Sequence, residues 1–76
     1  MNKLATYRKK AGISQARLAT MIGVRASTIG NYELGIRSIS LEMCWKMIRA
    51  FNDLGITCSI EDVFPYPDFE LTDSLS

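Results

Sequence analysis

Histidine is absent from the sequence, which removes the side chain most often used as a general base and metal ligand near neutral pH. Cysteine is scarce: Cys44 and Cys58 stand alone, lack Cys-x-x-Cys spacing and have no imidazole with which to share a metal. No metal site is expected, and both are read as reduced thiols, with Cys44 in the core. No glycine-rich loop suited to phosphate is present, and the carboxylates fall at helix caps and surfaces. The sequence therefore offers no catalytic residue, no cofactor and no small-molecule ligand, and an enzyme is not expected. No stretch approaches the roughly 20 apolar residues that span a bilayer, and Met1-Asn2-Lys3-Leu4 opens no apolar run of secretory length. A cytoplasmic protein without a membrane partner is the expectation.

What remains is a chain of 76 residues with 47% hydrophobic and 22% charged side chains, the balance of an ordinary globular domain. At that length only about 60% of the unfolded surface is buried, which suffices for one core and not for two. Net charge is only +1, but its distribution is uneven. All nine basic residues lie between Lys3 and Arg49, with Glu33 and Glu42 as the acids of that segment, a local charge of +7. Ala50 to Ser76 carries six acids and no base, −6. Because attraction to phosphate follows local charge, the first two thirds can present a surface to nucleic acid.

Helical periodicity dominates, punctuated by glycine. Asn2 is expected to cap a first helix with Leu4, Tyr7, Arg8 and Ala11 on one face, ended by Gly12. Ser14 caps a second, with Leu18, Ala19 and Ile22 inward and Gly23 as its stop. A third, about Ala26 to Leu34, turns Ile29, Tyr32 and Glu33 inward and exits through Gly35. Ser40 caps a fourth, to about Asp53, whose main stripe is Leu41, Cys44, Trp45, Ile48 and Phe51. Ser59 and Asp62 resemble a capping box for a short fifth helix through Phe64, and Pro65 and Pro67 end it. The segment Asp68 to Thr72 alternates, which allows either a short strand or a loose tail.

The stretch GISQARLATMIGVRASTIGNYELGIRSISLE, Gly12 to Glu42, joins two short helices through a three-residue turn. A small residue is needed where they cross (Ala19), and a left-handed glycine at the turn (Gly23). Leu18 and Ile22 anchor the first helix, and Val24, Ile29 and Tyr32 seat the second. On these residues, together with Ser14-Gln15, Ser27-Thr28-Ile29 and Tyr32-Glu33, the chain resembles the Cro/repressor-type (XRE-like) helix-turn-helix family from about Leu4 to Phe64.

That resemblance implies an all-α fold, a compact five-helix lambda-repressor-like DNA-binding domain over residues 1–66, followed by an acidic tail over 67–76, extended or disordered. It implies double-stranded DNA as partner, with the second motif helix in the major groove. Arg25, Ala26, Ser27, Thr28 and Asn31 then face base edges. Asn31 suits a bidentate pair with adenine, Arg25 a guanine or a phosphate, and Ala26 a thymine methyl. Gln15 is expected at a phosphate, helped by the helix dipole, and Arg37 as a second backbone clamp. Arg17, Lys9 and Lys10 are weaker electrostatic candidates. Arg8 and Glu33 are expected to form a structural ion pair fixing the recognition helix against helix one.

Two features depart from the family pattern. Gly30 sits inside the recognition helix, where it is either a tolerated substitution or a place of close DNA approach. Ala26 and Ser27 are short, so direct base contacts should be few. The fourth helix also carries a second apolar row, Met43, Met47, Ala50 and Leu54, to be covered either by Ile60, Val63, Phe64 and Phe69 folding back or by a twofold partner. A homodimer on a near-palindromic operator is expected, with the logic of a stand-alone phage Cro-like repressor or small regulator. The alternatives are an antitoxin of the same fold and a protein-interaction module that has lost DNA readout.

Overall fold

A computed structural model describes residues 2–65, together with the strand Phe69–Glu70. Five helices follow the glycine and serine punctuation: α1 Leu4–Lys10, α2 Gln15–Ile22, α3 Ala26–Leu34, α4 Leu41–Asp53 and α5 Ile60–Val63. The fold is the all-α domain that the pattern implies. Ser14 and Ser40 each accept a hydrogen bond from the backbone three residues on, at 3.0 and 3.2 Å, which satisfies one of the N–H groups a helix start leaves open. Ser59 and Asp62 form the reciprocal capping box. Gly23 and Gly35 close α2 and α3 at φ 80° and 74°, in the left-handed region where a side chain would be strained.

The first helix begins differently from the expectation. Lys3 occupies the N-cap position and makes no side-chain cap, while Asn2, one residue earlier, still accepts from the Leu4 amide at 3.0 Å. Its amide nitrogen donates to the Tyr32 carbonyl at 2.8 Å, so Asn2 also ties the start of α1 to α3.

The core is a single cluster in which Leu4, Leu18, Ile29, Ile39, Phe51 and Phe64 are fully or almost fully enclosed. α2 packs across α3, α4 lies against α2 and α5, and Tyr7 of α1 meets Phe51 of α4 at a ring separation of 6.4 Å. The Lys3 amide donates to the Val63 carbonyl at 2.7 Å and joins the two ends of the helical body.

The buried face of α4 corrects the expected stripe. Cys44, Ile48 and Phe51 are buried as read, but Leu41 and Trp45 are 41% and 59% exposed. Met47 and Ala50, from the row assigned to the tail or a partner, are buried instead, with Met43 and Leu54 half-buried. The chain's own helices cover that row: Ile22 of α2 and Val63 and Phe64 of the α5 region belong to the same enclosed cluster. The helix is rotated so that five residues of both rows point inward and the aromatic at the edge of the first row points out.

A feature not read from the sequence is β1, Ile39–Ser40, which pairs in parallel with β2, Phe69–Glu70, in the register Ile39 to Phe69 and Ser40 to Glu70. The rest of the expected tail, and the Phe69 side chain, lie outside the described residues. No helix among the described residues is long and apolar enough to cross a membrane.

Candidate nucleic-acid interface

Burial divides α3 cleanly. Ile29 and Tyr32 are buried and hold the helix to the core, while Arg25, Ala26 and Ser27 at its start are exposed and Thr28, Gly30 and Asn31 are half-buried. With a 3.6-residue period, anchoring at Ile29 and Tyr32 leaves the opposite side of the rod, and its amino-terminal turn, to the surroundings. Arg25, Ser27, Thr28, Asn31 and Arg37 line one shallow groove of about 490 Å³. Ala26 stands exposed at the first helical position and does not line that groove.

Tyr32 and Met43 also line it, and sequence reasoning missed their part in the site. The Arg37 guanidinium carbon lies 5.9 Å from the Tyr32 ring centroid, within the range of a cation–π contact. Tyr32 thus has two jobs, seating α3 and steadying the loop arginine. The contact crosses a helix end and a left-handed glycine, so no local spacing rule announces it.

The amino ends of the two motif helices share an electrostatic property. Neither α2 nor α3 has an acidic residue in its first turn, whereas α4 carries Glu42 there and α5 carries Glu61 and Asp62. A helix start bears about half a positive charge, and carboxylates in the first turn cancel it. The starts of α2 and α3, at Gln15 and Arg25, are thus left uncancelled, as is that of α1. Arg25 stands at the N-cap of α3, where its guanidinium, a donor only, cannot accept from the helix-start N–H groups.

Behind the groove, one polar node fixes α3. Arg8 Nε donates to Glu33 Oε2 at 2.6 Å, and Arg8 Nη1 donates to the Ile13 carbonyl at 2.9 Å. Gln15 Nε2 donates to Glu33 Oε1 at 2.9 Å. The Arg8 and Glu33 side chains are only 12% and 9% exposed. Two side chains therefore converge on the Glu33 carboxylate, Arg8 of α1 and Gln15 at the start of α2, and Arg8 also holds the turn between those helices at Ile13. Removing one charge from so enclosed a pair leaves the other stranded, a loss of about 3–5 kcal/mol, whereas an open surface pair contributes under about 1.

Gln15 lies across α3 at Gly30. A Cβ built on Gly30 meets the Gln15 amide at 3.6 Å, an ordinary contact distance. One amide hydrogen of Gln15 is engaged by Glu33, and the nitrogen keeps a second for another acceptor. Lys10 sits 4.9 Å from the Tyr7 ring on α1, away from the groove; Lys9 and Arg17 are exposed and do not line it.

The Helix-turn-helix family model matches residues 4–57, which takes in α1 through α4 and both faces of this site. The chain belongs to the Cro/repressor-type helix-turn-helix family. It is 38% identical over 69 residues to an uncharacterized HTH-type transcriptional regulator of Archaeoglobus fulgidus, covering 91% of each chain. A second such regulator of that organism is 35% identical, covering 91% of this chain and 90% of the relative. A third, from Methanocaldococcus jannaschii, is 36% identical, covering 91% of this chain and 97% of its own length. No solved structure matches. DNA binding in transcription regulation is the work of this family, and it is the work for which the domain is built.

Proposed function

We propose that the chain is a sequence-specific repressor that binds a near-palindromic operator as a homodimer, with α3 in the major groove. The observation that carries this reading is the polar groove of Arg25, Ser27, Thr28, Asn31 and Arg37, set beside two helix starts free of first-turn carboxylates. In it Asn31 reads adenine through its amide, Arg25 reads guanine or holds a phosphate, and Ser27 and Thr28 offer hydroxyls that pair with either donors or acceptors. Ala26, exposed and short, meets a thymine methyl. Gln15 and Arg37 grip the backbone on either side and set the register without reading sequence. A single module of this size makes few base contacts, so two half-sites about 34 Å apart supply the rest of the specificity. The relatives named above are archaeal, so the reading carries no commitment to a phage.

The test is footprinting of the purified protein on DNA flanking its own gene, followed by titration of the protected duplex. A symmetric footprint, affinity that falls steeply with salt, and loss of about 1–3 kcal/mol of discrimination at one adenine in Asn31→Ala are expected. Equal affinity of wild type and Asn31→Ala for every duplex, with no salt dependence, points instead to a protein-interaction module or an antitoxin that works through a protein partner.

A further inference from the structure

The side chain of Gln15 leaves the start of α2 and lies back over α3, where two residues hold it. A Cβ built on Gly30 stands 3.6 Å from both Gln15 Nε2 and Gln15 Oε1 and 3.9 Å from Cδ, so both ends of the amide rest against the one position of α3 that has no side chain. One turn on, Glu33 Oε1 accepts from Gln15 Nε2 at 2.9 Å. An ionised carboxylate only accepts, so Glu33 selects the nitrogen end of the amide and fixes which way the group is turned. We propose that Glu33 is a positioning residue for DNA binding: across Gly30 it presets the Gln15 amide, whose remaining hydrogen then meets a phosphate of the DNA backbone. The inference deepens the reading of Gln15 as a grip on that backbone and rests on it.

The surroundings of this bond suit an anion as well as they suit the fold. Gln15 is half-buried at the first position of α2, where the helix dipole and the open backbone N–H groups favour negative charge. Arg8 Nε donates to the other oxygen of the Glu33 carboxylate at 2.6 Å, so an arriving phosphate meets a neutralised acid rather than a bare one. Gly30, which local propensity disfavours inside a helix, leaves the amide its place: a methyl there makes an ordinary contact, whereas a longer side chain takes the space that Gln15 occupies. A glutamine free in solution has its rotors to fix when it grips a phosphate. Held beforehand it has less to lose, a difference of about three- to tenfold in affinity for one rotamer-rich side chain.

Proton–nitrogen spectra of the free full chain test the hold, and titration of the protected duplex tests its use. In the spectra, one Gln15 side-chain proton should be shifted downfield and slow to exchange, and should stay so in Gly30→Ala. It should return to solvent values in Gly30→Leu, which displaces the amide and leaves the Arg8–Glu33 pair in place. A wild-type Gln15 amide with the shifts and exchange of a solvated glutamine overturns the proposal without any DNA. On the duplex, Gln15→Ala should bind about tenfold more weakly, and ethylation of one backbone phosphate should cease to hinder it. Its base preference and salt slope should be unchanged, because a neutral amide releases no counterion. Gly30→Leu, and Glu33→Asp with its carboxylate one methylene short, should each lose about three- to tenfold and weaken the effect of the same phosphate. Neither should weaken Gln15→Ala further. Full additivity with Gln15→Ala overturns the proposal, since the leucine then meets the DNA itself and Glu33 serves folding alone; so does a wild-type ethylation pattern in both variants. Gly30→Leu decides the matter if Glu33→Asp does not fold. Variants that equal the wild type on a duplex it binds bring down this inference and leave the DNA reading standing. A protein that holds Gln15 as described and ignores every duplex defeats the DNA reading, and this role of Glu33 with it.

Discussion

At the scale of single residues, enclosure decides chemistry. Burial pushes the Cys44 thiol up to about 12 from an ordinary 9.0, because the thiolate cannot be solvated among Met47, Ile48 and Phe51. Cys58 is also raised, by burial first and by the Asp62 carboxylate second, against a lowering from Lys10, but it is only half-buried. A disulfide reagent at pH 8 should therefore modify one thiol in the folded protein and two in denaturant; rapid reaction of both in the native state contradicts the enclosure of Cys44. The sign of the stability effect follows. The folded state holds the Cys44 proton more tightly than the unfolded chain, so this contribution is complete below pH 9 and declines as pH rises from 9 toward 12. Denaturant titrations should show the gap between wild type and Cys44→Ala shrinking over that window. The Arg8–Glu33 pair is the other enclosed chemistry. Arg8→Ala and Glu33→Ala should each cost about 3–5 kcal/mol, and the double variant much less than their sum, because each single change leaves a charge without its partner. A cycle with no coupling means that the 2.6 Å contact contributes nothing to folding.

At the scale of elements, the recognition helix carries a residue that local propensity disfavours. Gly30 costs about 1 kcal/mol relative to alanine in a helix interior. Its missing Cβ faces the Gln15 amide at 3.6 Å, so the fold itself has room for the methyl. Gly30→Ala should raise stability by about that amount in a thermal melt. If its operator affinity is unchanged, the glycine is a tolerated substitution; if affinity falls while stability rises, DNA uses the space. The same contrast between local and non-local causes explains what could be read in advance. The ends of α2 and α3 and the start of α4 follow from Gly23, Gly35 and Ser40, which act within a turn of where they stand. The buried sets of α2 and α3 were legible because each offers only one apolar face. Helix α4 has two apolar rows, and periodicity cannot choose between them; packing against α2 and α5 turned Met47 inward and Trp45 outward. β1 was illegible because two residues pair with a segment thirty positions away. In the site, the groove-facing side of α3 was legible from the motif, while the Arg37–Tyr32 contact and the Gln15–Glu33 bond depend on how three separate segments meet.

At the scale of the whole molecule, the charge separation along the sequence becomes a division of labour among side chains. The basic segment supplies both the groove and the grip around it, and the acidic segment begins only at Asp53, after α3 and the loop of Arg37. On the proposed reading, phosphate attraction orients the protein before any base is read, and the salt dependence of binding counts the contacts that survive docking. Each phosphate neutralised contributes about 0.9 to the slope of log affinity against log salt. Arg37, exposed and steadied on Tyr32, is assigned to the backbone, so Arg37→Ala should weaken binding to all duplexes alike and lower that slope by about 1. Asn31→Ala should do the opposite: keep the slope and lose preference at one base pair. Titrations of both variants on the operator and on a scrambled duplex, at four or so salt concentrations, separate the two effects. An Arg37→Ala protein with the wild-type slope but a changed base preference reverses the assignment and puts the loop, not the middle of α3, against the base edges.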